Sequence, residues 1–243
     1  GGNFDTDKAI VRSKTKLSSA RAITAIMMTK AMAYKFNDKF INGNPESDPE
    51  EFKGLEERVQ DLYDEGYTGQ RVDVAGGSAT EGILNSSAVS HNFLNQLDKA
   101  MYQIAGHNPQ GGWMNSNVLL ALRAILRKEG LLDEGKDAMD RVVTAIGGCQ
   151  LLDIGVDADQ TTEIIAENET LGGGTTESSI YFVKFGIGEL LWGIQEYPLE
   201  VTDKGLLEGS PIYRTEVDWP LGLAIASPYC VSRLYGIIST NAA

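Results

Sequence analysis

The chain has 243 residues, 42% of them apolar, and a formal net charge of −13. That suffices for a substantial core in one elongated domain or two small ones. So negative a balance argues against a protein whose main work is gripping nucleic acid, because such a protein needs a basic face.

The first strong element is a helix predicted from about Ser18 to Asn42. Ser18 or Ser19 is its expected N-cap, and Gly43 followed by Pro45 its stop. Ile23, Met27, Ala31, Tyr34 and Ile41 recur at helical spacing, widened by Ile26, Ala33 and Phe40, and the expectation is that this stripe faces a core. At about 25 residues the helix would span nearly 40 Å and cross the whole molecule. An acidic, turn-rich connection runs from Asn42 to Glu51, and a short helix follows from Leu55 to about Leu62. Residues 66–88 are rich in Gly, Ser, Thr and Ala, which predicts an extended loop or hairpin with weak β character at Arg71–Val74.

A second long helix is predicted from Asn92 to Ala105, with Ser90 and His91 as capping residues and Gly106 as C-cap. Gly112–Asn115 reads as a buried strand. Asn115 or Ser116 then caps a helix to Lys128, closed by Gly130, with Leu119, Leu120, Leu122, Ile125 and Leu126 as its core face. Beyond it the character turns to β. Val142–Ile146, a Gly147-Gly148 turn and Gln150–Ile154 predict a hairpin. Ser179–Phe185, Leu190–Gln195 and Leu199–Asp203 are further strands. Ile212–Ile225 reads as one long strand, with Pro220 at an edge or bulge, and Val231–Ile238 as the last strand. Helices followed by antiparallel strands are α+β order.

Charge is unevenly placed. From Lys8 to Lys39 there are eight Lys/Arg and one acid, a balance of +7. From Glu46 to Glu65 there are nine acids against Lys53 and Arg58, a balance of −7. Such patches are either solvated faces or surfaces that steer copies of the chain together. On the second reading Lys8, Arg12, Lys14 and Lys16 meet Glu50, Glu51, Glu56 and Glu57 of a neighbour.

No catalytic constellation stands out. Adjacent residues such as Ser90 and His91 rarely present their side chains to one another as a nucleophile and base must. His107 sits in a loop. Gly186-Ile-Gly188 has the wrong spacing for a dinucleotide fingerprint, and Gly172–Gly174 lacks the Lys-Ser/Thr of a phosphate loop, so both read as turns. Cys149 and Cys230 match no disulfide framework or zinc spacing and read as buried small thiols. Trp113, Trp192 and Trp219 read as core residues or subunit contacts. No catalytic, cofactor or metal residue is assigned. No run of eighteen apolar residues exists, and the start at Gly1-Gly2-Asn3 shows no apolar signal core and suggests a processed or partial chain.

The order of segments is more telling. Tyr34–Leu55 contains Ile41-Asn-Gly-Asn44, an acidic stretch and Gly54-Leu55. It is followed by the helix Leu94–Ile104, Gly112-Trp-Met-Asn-Ser116 with helix 117–128, Ile146–Asp153, Ile180–Gly186 and Pro211–Tyr229 with Arg233–Ile237. In this order they resemble the major capsid proteins of tailed bacteriophages with the Hong Kong 97-like fold, although the proline of that family's Gly-x-Pro strand is absent at 146–153. The resemblance implies an α+β fold with a long spine helix. Residues 1–16 would end an extended loop or N-terminal segment, 17–87 form a peripheral domain with the spine helix, and 88–175 form an axial domain. Residues 176–243 would return to the peripheral domain with a C-terminal strand and axial contacts, the N-terminal arm and extended loop being largely absent. It further implies a structural, non-enzymatic subunit without cofactors. Hexamers and pentamers would close an icosahedral virion head around double-stranded DNA, assembled in the host bacterial cytoplasm, with portal, scaffolding or decoration proteins as possible partners and no membrane. The alternative is an encapsulin-type nanocompartment shell enclosing enzyme cargo.

Overall fold

The computed structural model describes residues 1–12, 20–74, 81–131, 133–136 and 142–239. Five helices are described: α1 (Lys8–Arg12), α2 (Ala20–Asn42), α3 (Leu55–Asp64), α4 (Ser87–Tyr102) and α5 (Ser116–Glu129). The strands are β1 (Gly2–Asp7), β2 (Arg71–Asp73), β3 (Gly111–Met114), β4 (Asp133–Lys136), β5 (Val142–Ile146), β6 (Cys149–Asp153), β7 (Ser178–Val183), β8 (Leu191–Gln195), β9 (Glu200–Leu206), β10 (Ile212–Asp218), β11 (Leu221–Ile225) and β12 (Val231–Ile237).

The centre is a seven-stranded mixed sheet in the order β2-β12-β7-β3-β6-β5-β4. Because side chains alternate across a strand, β7 feeds two cores at once. Ile180 and Phe182 pack with Phe93 and Leu97 of α4 and Val118, Leu122 and Ile125 of α5. Tyr181 and Val183 point the other way, into a second core with Phe40 and Ile41 at the end of α2 and Leu55 and Val59 of α3. Each fully buried aliphatic or aromatic side chain contributes about 1.5–3 kcal/mol by leaving water, so both faces of this sheet are finished surfaces. Accordingly β7 is buried along its whole length, from Ser178 to Val183.

The end of α2 meets the start of α3 through two glycines. The Gly54 amide donates to the Gly43 carbonyl at 2.7 Å. A Cβ on Gly43 would lie 2.3 Å from the Phe52 carbonyl oxygen, and one on Gly54 2.4 Å from that of Ile41. The close approach admits no side chain at either position.

Elsewhere the structure corrects the sequence reading. Helix α4 begins at Ser87, and the cap is Ser86, whose hydroxyl accepts from the Val89 amide. Ser90 lies inside the helix and donates to the Ile83 carbonyl, while His91 lies 3.2 Å from Glu129 of α5. The helix ends at Tyr102, ahead of Gly106, which sits in a separate 3-10 turn. On α5, Leu120 is exposed, and Val118 and Ala121 take the core positions beside Leu122. The expected strand 212–225 is two strands in two sheets. Strand β10 pairs with β1 and β9 and β11 pairs with β8, the break falling at Trp219-Pro220, where proline removes a ladder donor. Strands β1 and β4 were not foreseen. Ser18 and Ser19 lie outside the described residues.

Candidate functional site

Two features stand out: a buried ion-pair cluster beneath α3, and an uncovered apolar face on α2. Strand β12 reads Val231-Ser-Arg-Leu-Tyr-Gly-Ile237, an apolar strand interrupted by a charge. Alternation sends Ser232 towards α4, where its hydroxyl donates to the Ala100 carbonyl at 2.8 Å, and Arg233 towards α3. The Arg233 guanidinium donates to Ser179 at 2.9 Å, Glu56 at 3.0 Å and Glu169 at 2.9 Å, and lies over the Tyr181 ring. Ser179 in turn donates to Glu169. Burial pushes the Glu169 carboxyl above its ordinary value, against the pull of Arg233 and Ser179. Burial also opposes charge on Arg233, but Tyr181, Glu169 and Glu56 around it outweigh that and raise its pKa. The cluster ties helix, sheet and the segment 155–177 together.

That segment is fastened along its length. The Asn42 amide donates to the Ile164 carbonyl at 2.8 Å, and the Asn115 amide donates to the next carbonyl, Ile165, at 2.9 Å. Asn115 also caps α5 and donates to Glu163 at 2.6 Å. The amides of Gly172 and Gly174 donate to the buried Glu177 carboxylate at 2.6 and 2.5 Å, so the glycine run is used by the chain itself.

The second feature is on α2. Its packed face meets the β1–β10–β9 sheet, where Arg21 pairs with Asp203 and lies over the Tyr213 ring. Towards its end Phe36 and Phe40 pack on Phe52, Trp113 and Trp219. The opposite face was expected to be core, yet Ile23, Ile26 and Met27 are 46%, 58% and 60% exposed. They form one stripe with Lys30 and Tyr34, which are also exposed.

The charged residues expected to join neighbouring copies fare unequally. Lys14 and Lys16 lie outside the described residues, as does the side chain of Arg12, and Lys8 is half-buried in α1. Among the acids only Glu50 is exposed. Glu51 pairs with Lys39 at 2.9 Å, Glu56 with Arg233, and Glu57 accepts from Asn44 at 2.9 Å. Lys39 is desolvated by burial, but Asp38 and Glu51 hold its amine above the ordinary value. Three of these four acids are therefore engaged within the chain's own fold. The Arg233 cluster and the Asn42 and Asn115 contacts escaped the sequence reading; the one signal was an arginine inside an apolar strand.

His107 donates to the Tyr102 carbonyl at 2.7 Å and stacks on that ring. Among the described residues no group of three or more His, Cys, Asp or Glu side chains is placed to hold a metal ion, and no helix is long and apolar enough to cross a membrane. Both cysteines are free and buried, and burial pushes the Cys149 thiol up to about 12 and Cys230 to about 11.

Comparison with known proteins identifies the architecture. A family model described as major capsid protein GP7 matches residues 3–102. No curated protein matches the sequence. Among solved structures, the holo-SrpI encapsulin complex from Synechococcus elongatus superposes with a TM-score of 0.70 at 13% identity, over 100% of this chain and 74% of that one. The capsid of a native GTA particle gives 0.57 at 13% identity, over 98% and 71%. The capsid of the cyanophage P-SCSP1u gives 0.53 at 11% identity, over 96% and 70%. A capsid family model matches its first hundred residues, and over nearly its whole length the chain has the fold of these solved shell proteins, the Hong Kong 97-like α+β fold.

Proposed function

We propose that the chain is the repeating subunit of a phage head. Its copies form hexamers and pentamers that close an icosahedral shell around double-stranded DNA. The observation that carries this reading is the match of the capsid family model to residues 3–102, which run from β1 to α4 and include α2 with its exposed apolar stripe. A net charge of −13 suits a container that holds DNA without gripping it. On this reading the spine helix α2 belongs to a peripheral part and α4 and α5 to an axial one.

A second reading has its own support. The encapsulin superposes with a TM-score of 0.70, against 0.57 and 0.53 for the two particle capsids described above. In that case the shell encloses protein cargo. Recombinant expression followed by negative-stain microscopy tests shell formation. Closed particles tens of nanometres across are the expected result, and a monomer at every concentration overturns it. Nuclease-resistant DNA in particles from the native source supports the phage head, and a co-purifying enzyme without DNA supports the compartment.

A further inference from the structure

The exposed stripe on α2 has a composition that restricts what can cover it. Ile23, Ile26 and Met27 supply apolar surface, and the charged residues beside them, Lys30 and Lys35, are both cationic and exposed. No acid occurs between Lys8 and Asn37. A two-fold contact that laid this stripe on itself would bring lysines against lysines, which is unfavourable when the apolar contact desolvates them.

A second segment with exposed apolar residues carries the opposite sign. Ile187, at the tip of the loop after β7, is 89% exposed, and Ile194 on β8 is 52% exposed. Along the same stretch of sequence Glu189, Glu196 and Glu200 are exposed. This strip also repels itself. Paired with the helix stripe of another copy, it presents isoleucines to isoleucines and carboxylates to lysines.

We propose that the α2 stripe seats the 187–200 strip of a second copy of this chain in a head-to-tail contact. This rests on the shell reading above and names one of its contacts. A heterologous contact repeats from copy to copy, and closes into a ring when its rotation allows. It also differs from the pairing expected from the sequence, in which the acidic partner lay at Glu50–Glu57. Three of those four acids are engaged within their own chain.

The test is a charge exchange in the full chain. Lys30→Glu with Lys35→Glu should cut the yield of closed particles by about tenfold or more, and Glu196→Lys with Glu200→Lys should do the same. All four substitutions together should restore assembly. Circular dichroism of each variant separates assembly loss from misfolding, and the four-fold variant keeps the test decisive if one pair alone folds poorly. Unchanged yield in either double variant overturns the contact. So does rescue of the lysine reversals by Asp64→Lys with Glu65→Lys instead, which would move the partner to the end of α3. A parent chain that forms no shells at all fails the functional reading itself, a result distinct from either.

Discussion

The central sheet and the spine helix are built from similar apolar residues, but they treat them differently. In the sheet, β7 buries side chains on both faces and its one charged neighbour, Arg233, is met by Glu56, Glu169 and Ser179. Along the first half of α2, large apolar residues of the same kind stand in solvent. The sheet is complete within one chain. The helix keeps an apolar face that the described residues leave exposed. Periodicity cannot tell these cases apart, since an apolar stripe marks a face that is buried without saying by whom.

The contrast can be broken at several points. Replacing Arg233 with Ala leaves Glu169 buried without its counter-charge and should cost about 3–5 kcal/mol, read as a lower urea midpoint. A loss under about 1 kcal/mol, the range of exposed pairs, would show that the cluster is solvated and that the sheet is less closed than described. Asn115→Ala removes both the α5 cap and the hold on Ile165, and should cost about 1–2 kcal/mol. Asn117→Ala, an exposed position two residues on, serves as the control that should stay near the parent.

A pH effect follows from the buried thiols. Their ordinary value is 9.0 and burial raises both. Above pH 9 the unfolded chain releases these protons before the folded chain does, so stability should fall as pH rises from 9 towards the raised values. Cys149→Ala should flatten that fall, and an unchanged slope would place its origin elsewhere. The smallest effect on the isolated chain is expected at the stripe. Ile26→Ala should change unfolding free energy by no more than about 0.5 kcal/mol, while lowering particle yield. A large loss of monomer stability would mean that the stripe is covered within the chain.

Much of the fold was legible. Helices α2, α3 and α5 and the hairpin β5–β6 follow from spacing, caps and glycine turns, and of the two α5 caps the sequence offers, Asn115 and Ser116, the structure uses Asn115. The start of α4 was misplaced because Ser86 and Ser90 both offer a hydroxyl, and only tertiary structure shows that Ser90 is buried against Ile83. Trp219-Pro220 was recognised as an irregularity, yet sequence alone gave no sign that the chain changes sheets there. The Arg233 cluster spans 177 residues from Glu56, and long-range pairing of that kind leaves no local pattern. The acids of 46–65 were seen as a patch, but their use inside the chain depends on where Lys39, Asn44 and Arg233 come to lie.

The two amides that grip Ile164 and Ile165 carry a consequence for geometry at larger scale. Their acceptors are successive carbonyls of one backbone stretch, one held from the end of α2 and the other from the start of α5. Peptide units are planar and stiff, so the pair works as a spacer of fixed length between the end of α2 and the start of α5. When copies are joined in a closed ring, each angular error adds to the next, and a few degrees per subunit decide whether the ends meet. On the shell reading proposed above, such a strut in every subunit would keep that error small, giving two asparagine side chains a bearing on curvature.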